Sequence, residues 1–417
     1  MEEKIVLQPF DRILSGFEKL SEVSISISDC SEICRKYQSF GVEGVTELSF
    51  GAMNLRLLDS VDQAYEILNF VLDQGVNLID TARAYNGENG QGQMVESEVL
   101  VGNAIRNRAD LDEPIIIITK GHGYTPDAFD EELSTSLSKL GIEGKGDLKI
   151  GKNDVKLVYF LHGINESRWN TIKTSGVLDK AQKAKADGII NYIGFSSHYH
   201  DVPQIKEALD TGIFDVVELP YNIFNRSLGE DGEINMLKYA YDKDVGIVNM
   251  KAFNGNGMPA IYRMLKDFIS IDYKIMLNFC LSNPYISTVD AGARYVEEFK
   301  QDIEVALGER LTEEEIKNYK AEADKIAGEM DKICRECLHC LEKFECPQGL
   351  DFPAILALYS RYMIAEKLNK DRSELIEQYK QFTPNAKDCI ACEQCLEWCE
   401  YKLNIPGMLE KAHEALV

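Results

Sequence analysis

The stretch ELSFGAMNLRLLDSVDQAYEILNFVLDQGVNLID, residues 47–80, holds one complete strand–helix–strand unit. The runs Glu47–Ala52 and Val76–Asp80 are continuously apolar rather than alternating, which is typical of parallel strands covered on both faces. A helix between them is predicted to begin after Ser60, a good N-cap residue, and to end at Gly75, where a helix C-cap belongs. The stretch therefore predicts an α/β fold with a parallel sheet.

The same unit recurs along residues 46–305, where short apolar runs alternate with helical segments. The predicted strands are Glu47–Ala52, Val76–Asp80, Ile115–Lys120, Lys156–Leu161, Tyr192–Ser196, Val216–Pro220, Gly246–Met250 and Ile286–Val289. Eight repeats in roughly 260 residues are typical of a closed (β/α)8 barrel. The alternative, an open doubly wound sheet, would need a glycine-rich phosphate loop after the first strand, where GAMNLRLL stands instead.

Other segments flank or interrupt the predicted barrel. Gly141–Asp154, rich in Gly and Lys, is expected to be a surface loop before the fourth strand. Thr312 and Glu315 predict a capping box that opens a new helix. The predicted domains are an N-terminal cap segment (1–45), the barrel (46–308) and a C-terminal domain (309–417).

Composition excludes several classes of function. A net charge of −24 argues against binding to a nucleic-acid backbone. No run of 18 uncharged apolar residues is present, and MEEKIVLQPFDR does not resemble a secretory signal, so we expect a cytoplasmic protein without a membrane span. Eight of the eleven cysteines lie between Cys334 and Cys399, which indicates metal binding rather than disulfides.

Three predicted strand ends carry side chains suited to carbonyl reduction: Asp80 and Tyr85 at the second strand, Lys120 at the third and His162 after the fourth. An alkoxide that forms when hydride reaches a carbonyl carbon must be protonated, and a phenol does this better beside an ammonium group that lowers its pKa. A carboxylate can hold the ammonium in place, and an imidazole can donate to the substrate oxygen. In a barrel, the C-terminal strand ends meet at one face, where catalysis takes place.

The motifs NLIDTARAY, IIITK and FLHG occur in this order, and residues 46–305 resemble the aldo/keto reductase family. The family's Asp–Tyr–Lys–His tetrad matches Asp80, Tyr85, Lys120 and His162. The resemblance implies hydride transfer between NADH or NADPH and a small carbonyl or alcohol substrate. It makes Tyr85 the general acid/base, Lys120 the group that tunes it, Asp80 the partner of Lys120 and His162 the group that orients the carbonyl.

The resemblance also implies a set of cofactor-binding residues: Ser196, Ser197, Glu218, Lys251, Gly292 and Arg294. Ser197 stands where the family usually has Asn, and Glu218 where it usually has Gln. Acidic residues at 297, 298 and 302 lie near the expected site of the adenine-side phosphate. The choice between NADH and NADPH stays open.

The C-terminal region carries two cysteine triplets of the form C-x2-C-x2-C, each followed by a fourth cysteine. They are Cys334, Cys337, Cys340 with Cys346, and Cys389, Cys392, Cys395 with Cys399. In two-cluster ferredoxins the fourth cysteine of each run ligates the other cluster, so the predicted ligand sets exchange Cys346 and Cys399. A proline follows each fourth cysteine by seven residues, which indicates an internal repeat with two similar helix starts. Zinc is the alternative, but two triplets leave thiolates over in a tetrahedral site.

The region resembles two-cluster ferredoxin domains and the ferredoxin-like tails of some aldo/keto reductases. Two [4Fe–4S] clusters are therefore expected, for electron transfer or for structure. Nicotinamides transfer hydride whereas cubanes transfer single electrons, so two further hypotheses stay open. One is a reductase that receives electrons from a ferredoxin partner through its clusters, and the other is a non-catalytic, nucleotide-binding redox sensor.

Overall fold

The computed structural model describes residues 44–108, 111, 113–198, 202–253, 268–328, 332–334, 340, 344–399 and 402–417, and the backbone of 34–35. These residues form two compact units. The first takes the described parts of 25–252 and 277–311, and the second those of 253–276 and 312–417. Within the described chain, no helix is long and apolar enough to cross a bilayer. The roles predicted for residues 1–45, 46–308 and 309–417 stay predictions.

The first unit is a closed barrel of eight parallel strands, as predicted. The strands are β1 Leu48–Gly51, β2 Leu78–Asp80, β3 Ile115–Gly121, β4 Asn153–Leu161, β5 Tyr192–Ser196, β6 Val216–Pro220, β7 Gly246–Met250 and β8 Thr288–Ala291. Each strand pairs in parallel with the next, and β8 pairs with β1, which closes the sheet. Every C-terminal strand end therefore opens on one face of the barrel.

Helices follow the strands and cover the sheet. They are α1 Val61–Asp73, α2 Ser97–Arg106, α3 Pro126–Leu140, α4 Glu166–Ser175, α5 Val177–Ala186, α6 Val202–Asp210, α7 Met236–Asp242, α8 Tyr273–Leu281 and α9 Val296–Leu307. Ser60 caps α1 as predicted, because its hydroxyl accepts a hydrogen bond from the N–H of Gln63. Gly75 follows the helix end with φ +76°, a left-handed conformation that suits glycine.

Inward-facing side chains form two layers inside the barrel. The lower layer is apolar and consists of Val45, Leu78, Ile116, Ile118, Val158, Phe160, Val216 and Val248. Side chains of a strand alternate, so residues two positions further along face the same way. On β2, β3 and β6 those residues are Asp80, Lys120 and Glu218, all buried. The apolar layer thus supports a charged layer at the C-terminal end.

The insertion at 141–154 is not the loop that the sequence predicted. Leu148–Ile150 forms a strand antiparallel to Asn153–Val155, so the segment folds back as a hairpin and β4 begins earlier than expected. Alternating Leu148 and Ile150 are buried, which explains why the hairpin is stable despite its glycines. Of the predicted N-terminal segment, Cys34–Arg35 pairs with Val45–Thr46, and the rest up to residue 43 lies outside the described residues.

The second unit is mainly helical. Its helices are α10 Glu313–Ala327, α11 Phe352–Lys367, α12 Ser373–Tyr379 and α13 Ile405–Leu416. The predicted capping box of Thr312 and Glu315 is present. The predicted repeat is also confirmed: α11 and α13 each carry a proline at the second position, and the side chains of Asp351 and Asn404 cap them.

Candidate active site

The four predicted catalytic side chains lie together at the C-terminal face of the barrel. The ammonium group of Lys120 contacts the carboxylate of Asp80 directly. It lies 3.5 Å from the hydroxyl of Tyr85. The rings of Tyr85 and His162 meet edge to face with centroids 6.1 Å apart. The structure therefore brings all four residues to one site, as expected from the strand ends.

Backbone contacts fix the loop that carries Tyr85. The Tyr85 N–H donates to the carbonyl of Ala82, and the Ser97 N–H donates to the carbonyl of Tyr85. The hydroxyl of Ser97 donates to the carbonyl of Ala52, beyond the end of β1. A two-stranded hairpin, Asn86–Glu88 with Met94–Glu96, connects Tyr85 to α2. The loop that carries the phenol is thus held between the end of β1 and the start of α2.

Sequence reasoning missed a third carboxylate in the charged layer, Asp290 on β8. Asp80, Glu218 and Asp290 each bring an oxygen within 4.8 Å of the others. Glu218 also pairs with Lys120 at 3.4 Å. Gly51 on β1 makes room for Asp290, because a Cβ at position 51 would stand 2.7 Å from its carboxylate oxygen. Lys120 is therefore the counterion of more than one carboxylate.

The balance of burial and charge sets the proton positions in this layer. Burial lowers the pKa of Lys120, but Asp80 and Glu218 oppose it and hold that pKa well above its ordinary value. Burial raises the pKa of Tyr85, and the lowering effect of Lys120 is countered by the neighbouring carboxylates. Lys120 consequently stays charged, while Tyr85 keeps its proton and can act as an acid.

His162 is neutral at physiological pH. Burial, followed by the charge of Lys120, lowers the pKa of His162 to about 2. Its side chain is 7% exposed, and its Nδ1 atom has no hydrogen-bond partner among the described residues. His122 and His198, also missed in the sequence, lie beside it. The rule that chemistry gathers at C-terminal strand ends could have found both.

The predicted nicotinamide-binding residues already have partners within the barrel unit. Ser196 accepts a hydrogen bond from the N–H of Gly163 at 2.9 Å, and the Ser197 hydroxyl donates to the carbonyl of Ile164 at 2.9 Å. Both serines are buried and hold the loop after β4. Glu218 pairs with Lys120, as described. Their contacts with a cofactor stay a prediction.

The residues predicted to bind the adenine-side phosphate lie around the start of α9. Gly292 is exposed and Arg294 is half-buried. The carboxylate of Glu298 accepts hydrogen bonds from the N–H groups of Arg294 and Tyr295 at 2.7 and 3.3 Å. The chain's own carboxylate therefore occupies two backbone amides next to the start of α9. Lys251, at the end of β7, has a left-handed backbone with φ +60°.

Removing the Asp290 charge is expected to stabilise the barrel at alkaline pH. Burial, followed by Glu218, raises the pKa of Asp290 to about 7. The folded chain then binds a proton that the unfolded chain releases near pH 4, so stability falls as pH rises from about 4 to about 7. In Asp290→Asn this loss of folding free energy, about 2–4 kcal/mol, should disappear.

Thermal unfolding of wild type and Asp290→Asn at pH 5 and pH 8 measures this difference in stability. Parallel pH dependence in Asp290→Asn and wild type would contradict the expectation, and the exposed Asp154→Asn is the control.

In the second unit, four cysteines line one cavity: Cys346, Cys389, Cys392 and Cys395. None of them forms a disulfide. Ala391 and Glu393, which flank Cys392, both have left-handed backbones, with φ +50° and +61°. Such conformations are unfavourable for residues other than glycine and concentrate at functional sites.

Apolar side chains, among them Leu350, Phe352 and Leu409, form the remaining wall of this cavity. Four cysteine sulfurs and an apolar wall around one cavity suit an iron–sulfur cluster, whose sulfur ligands are soft and whose potential depends on its shielding. The set is the predicted second ligand set. Of the first set, Cys334, Cys340 and Cys399 pack against the same apolar core, and Cys337 lies outside the described residues.

Comparison with known proteins agrees with the barrel. The family model described as "Aldo/keto reductase family" matches residues 47–264. An uncharacterized oxidoreductase of Bacillus subtilis is 28% identical over 66% of this chain and 91% of its own length. The NADH-specific methylglyoxal reductase of Escherichia coli is 27% identical over 37% of this chain and 46% of its own.

Solved structures show the same fold. An aldo-keto reductase from Bacillus halodurans in its holo form superposes with a TM-score of 0.54 at 21% identity, over 70% of this chain and 95% of its own. The aldo/keto reductase from Klebsiella pneumoniae in complex with NADP and acetate gives a TM-score of 0.50 at 18% identity, over 67% and 92% of the two chains.

Proposed function

The chain belongs to the aldo/keto reductase family of oxidoreductases, and from this premise we propose that it reduces a small aldehyde or ketone, or oxidises the alcohol, at the tetrad of Asp80, Tyr85, Lys120 and His162. The observation that carries the proposal is the 3.5 Å approach of the Lys120 ammonium to the Tyr85 hydroxyl, in a layer where Asp80 contacts the same ammonium. The proton donor Tyr85, the charged Lys120 and its partner Asp80 thus occupy one buried site.

The roles of the four residues follow from their chemistry. A bound nicotinamide cofactor would supply or accept the hydride. Tyr85 donates a proton to the developing alkoxide, and Lys120 stabilises the phenolate that is left. Asp80 holds Lys120 in position. His162, as a neutral imidazole, donates a hydrogen bond to the carbonyl oxygen and orients it.

The test is a turnover assay with anaerobically purified protein. Oxidation of NADH and NADPH is followed with a panel of small aldehydes and ketones. Carbonyl-dependent oxidation of either cofactor supports the proposal. Binding of nucleotide without turnover of any carbonyl would contradict it and favour the redox-sensor alternative.

We expect NADH to be preferred to NADPH. Glu298 occupies the amides of Arg294 and Tyr295, and its charge opposes a 2′-phosphate at the start of α9. One relative carries NADH specificity in its name, and one structural neighbour was solved with NADP, so the two comparisons divide on this point. Glu298→Gln should raise kcat/KM for NADPH relative to NADH by about tenfold, the value of one weak charge interaction.

Glu297→Gln is the matched control for this change. It removes the same charge from the neighbouring position, but Glu297 is exposed, and the two backbone contacts belong to Glu298. The ratio of kcat/KM for NADPH to kcat/KM for NADH is expected to change little in Glu297→Gln and strongly in Glu298→Gln. Equal shifts would indicate a general charge effect, and a wild-type preference for NADPH would contradict the proposal.

The second unit is proposed to be a ferredoxin-like domain that binds two [4Fe–4S] clusters. Cys346, Cys389, Cys392 and Cys395 would hold one cluster, and Cys334, Cys337, Cys340 and Cys399 the other. The cavity that Cys346, Cys389, Cys392 and Cys395 line together supports this assignment. Bound clusters would supply one-electron redox chemistry. Iron and sulfide counts and a visible spectrum of the anaerobic protein test it, and colourless protein with zinc would contradict it.

A ferredoxin-type partner is the alternative electron source. Cys392 is exposed, so a cluster ligated there would lie near the surface, where a redox partner could reach it. Reduction of the substrate by reduced ferredoxin, with no NADH or NADPH present, would favour this route. Activity with NADH or NADPH, in the absence of ferredoxin, would favour hydride transfer from a nicotinamide cofactor.

A further inference from the structure

A cluster of basic side chains surrounds His162 at the mouth of the barrel. The rings of His122 and His162 stack, with centroids 4.5 Å apart and planes 25° apart, and the His198 ring lies 6.2 Å from His162. His122 directly follows β3, and His198 lies two residues beyond β5. Both are exposed, whereas His162 is buried. Three of the six histidines in the chain thus lead from the surface to the candidate catalytic site.

Arg168, in the first turn of α4, belongs to the same cluster. Its guanidinium donates to the carbonyl of Gly163 at 2.7 Å and lies 5.8 Å from the ring of Tyr124. The Tyr124 hydroxyl in turn donates to the carbonyl of His162. Arg168 makes no ion pair with any carboxylate in the described part of the chain. A guanidinium without a carboxylate partner beside the site contrasts with a chain whose net charge is −24.

The titratable groups around His162 are predominantly basic side chains. After burial, the groups that lower the pKa of His162 are Lys120, His122, His198 and Arg168. Although the residue as a whole is exposed, desolvation of its ring, followed by the charge of Lys251, lowers the pKa of His198 to about 4. Glu132 is the carboxylate that opposes this trend at His122, and it already accepts a hydrogen bond from the N–H of Gly123. An anion entering this mouth would meet donors rather than carboxylates.

We propose that Arg168, His122 and His198 bind an anionic group of the substrate, a carboxylate or phosphate, while Tyr85 and His162 hold its carbonyl oxygen. The inference rests on the proposed function and deepens it, because it makes the substrate a small carbonyl acid. A guanidinium binds such groups in two-pronged fashion, and each neutral imidazole adds one N–H donor. The Nδ1 atom of His162 is buried beside this cluster and has no hydrogen-bond partner among the described residues.

Matched pairs of acid and methyl ester test the proposal. The pairs are 4-oxobutanoate and glyoxylate, each with its methyl ester, and NADH is the donor. The wild type should prefer the acid in at least one pair by about tenfold or more in kcat/KM, as one charge-assisted contact provides. Arg168→Gln should bring that preference close to one by raising KM for the acid, and Arg168→Lys should restore part of it.

Lys173→Gln is the control, because it removes one positive charge from the same helix at an exposed position that pairs with Glu207. It should leave the preference unchanged. Equal kcat/KM for acid and ester in both pairs would overturn the inference. An equal loss of kcat/KM for acid and ester in Arg168→Gln would also overturn it, because such a loss indicates a structural role of Arg168. A raised Kd for NADH in Arg168→Gln would overturn it as well, because it assigns the cluster to the cofactor phosphates. No turnover of any carbonyl would instead overturn the proposed function, and this inference with it.

Discussion

Replacing Tyr85 with phenylalanine is expected to lower kcat for carbonyl reduction by about 10²- to 10⁴-fold, the usual contribution of a positioned general acid. The ring still contacts His162 edge to face, since Phe differs from Tyr only by the hydroxyl. What is lost is the proton donor 3.5 Å from the Lys120 ammonium. Steady-state NADH oxidation with a test aldehyde, in wild type and variant, measures the effect.

The affinity for NADH should change little in this variant. Tyr192→Phe is a matched control, because Tyr192 begins β5 at the opposite end of the barrel and the substitution also removes one hydroxyl. Its kcat should equal that of the wild type. Unchanged turnover in Tyr85→Phe would refute the role of the tetrad, and an equal loss in both variants would indicate damage to the barrel rather than to a catalytic step.

Cys346→Ser is expected to remove one of the two proposed clusters. Cys346 lines the same cavity as Cys389, Cys392 and Cys395, although more than 40 residues separate it from that triplet. Loss of one thiolate leaves three ligands, so iron should fall from about eight to about four atoms per chain, and visible absorption by about half. Iron and sulfide analysis of anaerobically purified protein measures the change.

Cys280→Ser is the control for this experiment. Cys280 is buried in the barrel unit, where its thiol contacts the carbonyl of Tyr221, a contact that serine can also make. Iron content should stay at the wild-type value. Full iron occupancy in Cys346→Ser would mean that this residue is not a ligand, and loss of all iron would mean that the two sites do not fill independently.

The barrel could be predicted because its signal is local. Continuous apolar runs separated by capped helices identify each strand, and β5, β6 and β7 have the bounds that the sequence indicates. The hairpin at 148–155 was missed because its short strand lies among glycines, and its stability depends on burial against the barrel. The periodicity of the neighbouring residues does not record the burial of this strand against the barrel.

By itself, the sequence determined the eight-stranded α/β barrel, the convergence of Asp80, Tyr85, Lys120 and His162, and the two cysteine triplets. Parallel strands of a closed barrel present their C-terminal ends on one face, so strand order alone brings the tetrad together. Only the tertiary structure placed Asp290 beside Asp80 and Glu218, because β8 closes on β1 across 241 residues of sequence. It also assembled Arg168 and the histidines, since contacts between loops of different strands depend on packing that no local periodicity records.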